Sequence, residues 1–271
     1  MSTLKAALRE TLPQPIWSAL ATGKRRVIGL PDELSWRVSV KGRQSRERLR
    51  ALKDKHLGQR CFIIGNGPSL RRTDLSLLKH EYTFGLNRIY LLFEELGFAT
   101  SYHVTVNTLV AEQCGKEIAR LPCTKFMAWH TRHLVDFTPD MMFLLSRDGP
   151  SFYTTVTRGV WEGATVTYVA MQIAYYLGFR KVILVGVDHS FQTQGQPHTT
   201  VVSQGDDCNH FSEQYFGQGF RWQLPDLETS ELAYRLAREQ FERFGGEIID
   251  ATVGGKLQVF RKVPFESCFD L

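Results

Sequence analysis

No stretch of this 271-residue sequence approaches the roughly eighteen consecutive apolar residues that an ordinary membrane-spanning helix requires. The first residues, MSTLKAALRETLPQPIW, lack the apolar core and small-residue cleavage site of a signal peptide, so secretion by that route is not expected. Cysteine is sparse: Cys61, Cys114, Cys123, Cys208 and Cys268 are scattered, odd in number and never spaced as CxxC. That excludes a zinc knuckle or a disulfide framework, and points to reduced thiols in a cytoplasmic setting. Neither GxGxxG nor a Gly-Lys-Ser/Thr phosphate loop occurs, which speaks against a nicotinamide dehydrogenase or a P-loop NTPase. There is no internal repeat or low-complexity tract.

What the chain does have is unevenly distributed charge. Residues 1–60 carry fourteen Lys or Arg against five Asp or Glu, a balance of +9. Subtracting these from totals of 33 and 28 leaves 19 basic and 23 acidic groups in the rest, a balance of −4. The basic character belongs to an arm, densest from Lys41 to Lys55, which the helix-like texture assigns to residues 1–57. Its charge suits either a solvated amphipathic helix or attraction to an anionic surface such as phospholipid headgroups at the inner membrane face. With only Trp17 and Trp36 as aromatics and no recognisable binding motif, the arm is not read as a nucleic-acid binder.

From residue 58 to 271 the texture is that of one α/β domain. Short apolar runs bounded by glycine or polar residues recur at Arg60–Ile64, Thr83–Leu86, Tyr102–Val106, Lys125–Trp129, Met142–Leu145 and Lys181–Val187, as buried parallel strands do. The spacing predicts helices over 164–177 and 228–244, and late strands at 247–249 and 256–260. Residues 192–223, rich in Gly, Gln, Asp and His, read as a long excursion of the kind that often forms a functional lid. The alternation implies a Rossmann-like, doubly wound, mostly parallel sheet behind a basic helical arm.

In such sheets ligands sit at the carboxyl ends of the strands. Those ends carry Gly65–Asn66–Gly67–Pro68–Ser69, Asn87, Asn107 and Asp188–His189. Glycines permit close backbone approach, so the amides of Gly65, Gly67 and Ser69 are expected to face a phosphate. Asn66, Asn87 and Asn107 offer side-chain amides that both donate and accept, as a base or sugar demands. A polar cluster, Asp206–Asp207–Cys208–Asn209–His210, lies in the excursion. Carboxylate with imidazole suits a general base, with Asp188, His189 and His210 as candidates. Asp188 with Asp207 also suits Mg²⁺ bridging phosphates. Lys256, behind a glycine pair, and Arg158 are further cations able to meet a phosphate, and Trp161, Phe220 and Trp222 are candidates for stacking.

The segments FIIGNGPSL, DLSLLK, FGLNRIYL, LGFRKVILVGVDHSF, HFSEQYFG and ATVGGKLQVF resemble the family described as 6-hydroxymethylpterin diphosphokinase-like (MptE-like). The same skeleton, over about residues 59–262, is similar to bacterial CMP-sialic-acid sialyltransferases (glycosyltransferase family 42) and to flagellar motility accessory factors. The sialyltransferase resemblance implies that Asn66 and Asn87 contact the nucleotide, that Asn107 lies toward the donor sugar, and that Gly67 and Ser69 lie near the phosphate. It also implies a donor contact from the helix start around Thr165. Two places depart from it. His189–Ser190–Phe191 stands where paired tyrosines would steady the phosphate, and Phe220–Arg221–Trp222–Gln223 stands where a general-base histidine is expected. The resemblances imply transfer from a nucleotide-activated, CMP-linked sugar to a glycan or lipid-linked acceptor with no cofactor required. The alternatives are an ATP- and Mg²⁺-dependent diphosphokinase and a non-catalytic nucleotide-binding module.

Overall fold

A computed structural model describes residues 32–191 and 195–270. The chain divides into two compact units, Met1–Arg43 and Gln44–Leu271. Most of the expected arm, residues 1–31, lies outside the described residues. What is described of the first unit is helical over residues 32–38, where Arg37 pairs with Glu33 at 2.7 Å.

The second unit is built on an eight-stranded sheet. Its members are β1 (Arg60–Ile64), β2 (Thr83–Leu86), β3 (Tyr102–Thr105), β4 (Thr124–Ala128), β5 (Met141–Leu144), β6 (Lys181–Val185), β9 (Glu247–Asp250) and β10 (Arg261–Lys262). The spatial order is β10-β9-β6-β1-β2-β3-β4-β5, and every pairing is parallel. Layers on both faces explain the sequence pattern: β2, β3 and β5 are buried throughout, and β1, β4 and β6 at all but their first residue. The chain runs outward from β1 to β5, then crosses back to lay β6 against the other side of β1, with Phe62 opposite Ile183. The strand order therefore reverses between β1 and β6, where doubly wound sheets open their binding crevice.

Helix α1 (Val40–Leu52) begins in the first unit and ends in the second. Of the helices that return the chain between strands, three carry a side-chain cap. Asn107 caps α2 (Thr108–Ala119), Thr165 caps α3 (Val166–Tyr176) and Asp226 caps α4 (Leu227–Arg243). The sequence suggests one apolar face for α3, but every residue from Thr167 to Tyr176 is buried, Gln172 included. A helix covered all round needs a partner on each side, and here the sheet and α4 supply them.

Two expectations are corrected. Residues 256–260 do not form a strand; the last strand is the two-residue β10. The excursion is not structureless, because β7 (Thr200–Val202) and β8 (Arg221–Gln223) form an antiparallel pair. Among the described residues no helix is long and apolar enough to cross a membrane.

Candidate functional site

The carboxyl ends of β1 and β6 meet in a tight seam. Past β1 the chain makes Gly65–Asn66–Gly67 and enters a short 3-10 turn, Pro68–Arg72. Past β6 come Gly186, Val187, Asp188 and His189. Ser69 Oγ donates to Asp188 Oδ2 at 2.6 Å, and Ser69 N to Asp188 Oδ1 at 3.3 Å. A Cβ on Gly67 would lie 1.8 Å from Asp188 Oδ2, so the carboxylate occupies the space that any other side chain would need. Burial raises the Asp188 pKa, with the Ser69 hydrogen bonds opposing the shift.

The expected phosphate cradle does not form. Gly65 N donates to Val185 O (2.7 Å), Gly67 N to Gly186 O (2.9 Å), Ser69 N to Asp188 and Leu70 N to Gly67 O (3.2 Å). The first three amides are spent joining β1 to β6, that of Leu70 closes the turn, and Pro68 has none to offer. The loop is a structural clasp, with Asn66 half-buried within it.

Two buried amide oxygens, Asn66 Oδ1 and Asn87 Oδ1, have no hydrogen-bond partner among the described residues. Asn87 stands at the end of β2 with φ of 48° and donates its backbone N–H to Val104 O at 3.0 Å. Asn107, at the end of β3, differs: its Oδ1 accepts from Leu109 N (2.9 Å) and Val110 N (3.2 Å), so that oxygen is committed to capping α2. Thr165 likewise caps α3, and its Oγ1 lies 3.3 Å from the Tyr234 hydroxyl.

His189, at φ 52°, sits with Nε2 3.2 Å from Glu231 Oε1 on α4 and its ring edge-on to Tyr234. Glu231 is a partner that the sequence reading did not identify. It lies 42 residues away, brought in by the second turn of α4. His210 takes a different place. Its Nδ1 lies 2.7 Å from Asp207 Oδ2 and its ring stacks on Tyr215 at 4.0 Å. Asp207 also accepts from Asn209 N (2.8 Å) and Phe216 N (3.2 Å), so both carboxylate oxygens hold the excursion together.

The excursion is fastened over the strand ends. Phe211 N donates to Asn66 O at 2.9 Å. Arg88, next to Asn87, donates to Gln214 O at 3.0 Å and to Tyr215 O, and its guanidinium lies 5.0 Å from the Phe220 ring centre. Arg88 is the second residue the sequence reading passed over; a lone arginine after a strand carries no signature.

The residues suggested for Mg²⁺ do not fit it. Asp188 and Asp207 each have both oxygens engaged, and among the described residues no three His, Cys, Asp or Glu side chains converge as ligands. The cation acting on Asp188 is Arg72, which holds Val253 O at 2.9 Å; from the turn Gly254–Gly255–Lys256 it is the backbone N of Lys256 that donates to Asp188 O at 2.8 Å. At the amino ends of β1, β6 and β9, a cleft of about 540 Å³ opens among Arg60, Arg180, Lys181 and Glu247. Its cations are taken: Arg60 pairs with Glu81 at 2.7 Å and Lys181 with Glu247 at 3.8 Å.

These features define a doubly wound parallel α/β protein with a covered polar site at its topological switch. The family model "6-hydroxymethylpterin diphosphokinase MptE-like" matches residues 40–194, and the chain belongs to that MptE-like family. No curated protein matches it. Among solved structures it is similar to the MAf glycosyltransferase from Magnetospirillum magneticum AMB-1, at 14% identity and a TM-score of 0.48. That match covers 83% of this chain and 38% of the other.

Proposed function

We propose that this protein is a metal-independent glycosyltransferase that holds a nucleotide-activated, CMP-linked sugar donor at the carboxyl ends of β1, β2 and β6. The observation that carries the reading is the pair of orphaned, buried oxygens of Asn66 and Asn87. An unsatisfied buried acceptor costs about 1–3 kcal/mol, a cost that a ligand with amino or hydroxyl donors relieves. Cytosine and ribose supply both. The covering excursion, held by Arg88, excludes water from the bound donor.

The proposed chemistry uses few groups. Glu231 engages Nε2 of His189 and so orients the ring, leaving Nδ1 to take the proton from an acceptor hydroxyl as the glycosidic bond forms. The departing nucleotide keeps the electrons of the broken sugar–phosphate bond, and the cations of Arg72 and Lys256 offset its charge. Asp188 acts by position, fixing Gly67 and Ser69 so that Asn66 faces the crevice. Thr165 and Asn107 are proposed as donor-side neighbours through what their capping roles leave free. His210 and Asp207 are proposed to shape the cover. The acceptor is a glycan or lipid-linked sugar, and the basic arm is proposed to rest on the anionic cytoplasmic face of the membrane.

A second reading, ATP-dependent pyrophosphate transfer to a hydroxymethylpterin, is favoured by the family description. It requires Mg²⁺, which the candidate carboxylates do not fit. Thermal-shift measurements with CMP, CDP, ATP plus Mg²⁺, and 6-hydroxymethylpterin separate the two. Stabilisation by CMP in EDTA, lost in Asn66→Ala, is expected. Stabilisation by ATP with Mg²⁺ alone refutes the transferase reading.

A further inference from the structure

Beyond the switch-point site, three polar side chains converge at the far end of the same sheet edge. His130 lies in the turn just past β4 and Ser146 just past β5, adjacent strands about 4.8 Å apart. Glu162 comes from the segment leading into α3. Ser146 Oγ donates to Glu162 Oε1. His130 Nδ1 is 3.3 Å from Ser146 Oγ and 3.7 Å from Glu162 Oε1. His130 and Glu162 are each 32% exposed, so the cluster opens to solvent.

The arrangement is not a hydrolytic triad. There the acid would hold the far nitrogen of the imidazole, whereas here Glu162 and His130 Nδ1 both face the serine oxygen. Because Ser146 gives its proton to Glu162, Nδ1–H of His130 is the donor toward these two oxygens. In the neutral ring the lone pair is then on Nε2. The cluster thus presents a carboxylate, an imidazole acceptor and a hydroxyl side by side. A carboxylate at its centre repels anions, and three neighbouring hydrogen-bonding groups match the adjacent hydroxyls of a neutral sugar.

Glu162 is held in place from both sides. The buried Gln172 accepts from Trp161 N at 3.4 Å and donates to Trp161 O at 2.8 Å. On the other side Gly163 (φ 54°) and Ala164 (φ 57°) make two successive left-handed residues, closed by Thr165 N donating to Glu162 O at 3.0 Å. A Cβ on Gly163 would lie 2.6 Å from the Ala233 methyl. Left-handed alanine is a local cost that surrounding structure must impose, and it persists mostly where function uses it. Three residues of chain put Glu162 within about 11 Å of Thr165, whose hydroxyl meets the Tyr234 hydroxyl beside His189. The crossover segment thus ties the cluster, through Thr165 and Tyr234, to the surroundings of the proposed base.

We infer that His130, Ser146 and Glu162 form the subsite for a neutral sugar of the acceptor, with Glu162 accepting from its hydroxyls. Its role as an acceptor subsite rests on the glycosyl-transfer reading; the binding of a sugar there does not. The test is saturation-transfer-difference NMR on the full chain with the methyl glycosides of glucose, galactose and N-acetylglucosamine. The wild type is expected to give signals with at least one glycoside. Glu162→Gln and His130→Ala are expected to weaken that binding roughly tenfold or more, while Ser146→Ala, which removes only a hydroxyl, weakens it less. The CMP-induced thermal shift should be unchanged in all three, which also shows that they are folded. Absence of signal from all three glycosides in the wild type, or full signal in both Glu162→Gln and His130→Ala, overturns the inference. Loss of the CMP shift together with the sugar signal in both of these variants would assign the cluster a structural role and overturns it too. If CMP fails to shift the wild type while glycoside signals remain sensitive to Glu162→Gln, the transferase reading falls and the sugar site stands.

Discussion

Replacing Gly67 with alanine isolates the seam between β1 and β6 from every other feature. Gly67 has φ −69° and ψ 159°, a conformation open to any residue, so backbone strain is not the issue. The added methyl would lie 1.8 Å from Asp188 Oδ2 and 2.4 Å from its Cγ, so carboxylate or loop must move. Overpacking of this kind costs about 1–3 kcal/mol. Displacing Asp188 also stretches two hydrogen bonds to an ionisable acceptor, each worth about 1.5–3 kcal/mol if lost outright. A loss of about 3 kcal/mol follows if the loop relaxes partway, or roughly 6–12 °C in Tm for a domain of this size. Thermal and urea unfolding measure it directly. The decisive control is Gly67→Ala combined with Asp188→Ala, which removes the colliding atoms and leaves only Asp188 Cβ, at 3.0 Å. The double variant should be more stable than the sum of the singles predicts, by about 1 kcal/mol or more. A Gly67→Ala protein that melts within a degree of the wild type, or strictly additive singles, refutes the account of the seam.

Three further outcomes follow from the same contacts. Arg88→Ala should release the excursion, seen as faster proteolysis within residues 195–223 with little change at the strands; an unchanged cleavage rate would detach Arg88 from that role. Asp188 titrates above the usual carboxylate value of 3.8, so the folded form binds its proton more tightly than the unfolded one. Its favourable contribution is full below that value and is lost as pH rises through the shifted pKa; denaturant titrations from pH 4 upward should show the wild type losing stability relative to Asp188→Asn, and parallel curves would contradict the shift. Charge reversal at the exposed Arg50, Lys53 and Lys55 should reduce sedimentation with phosphatidylserine vesicles at low salt, and near-physiological ionic strength should screen the effect; equal sedimentation would leave those charges a solvated surface.

The strands were legible because burial on both faces demands unbroken apolar runs such as Cys61–Ile64 and Val182–Val185, and polar residues end them abruptly. The doubly wound parallel sheet followed from the alternation of elements. What was not legible is how each polar group spends its hydrogen bonds. GNGPS reads as a phosphate loop, yet its amides close the β1–β6 seam; nothing local announces that Val185 and Gly186 will claim them. Asp207–His210 reads as loose chemistry in a loop, but Asp207 is engaged by His210 and by backbone amides of its own excursion. Glu231 and Glu162 escaped notice because helix and crossover geometry, acting over 42 and 16–32 residues of sequence, sets them against His189, Ser146 and His130. Such meetings belong to tertiary structure, and a one-dimensional pattern carries no trace of them.

The Ser69–Asp188 contact has a consequence for how any variant of this protein should be interpreted. It joins the half of the sheet that runs outward from β1 to the half that begins at β6, much as a rivet joins two plates. A substitution there loosens the scaffold and the crevice together, so lost activity and lost stability will travel as one quantity. Asn66 and Asn87 are the reverse case: their side-chain oxygens bond nothing among the described residues, and removing them costs the fold little. Function can be dissected from folding at the asparagines, and not at Asp188.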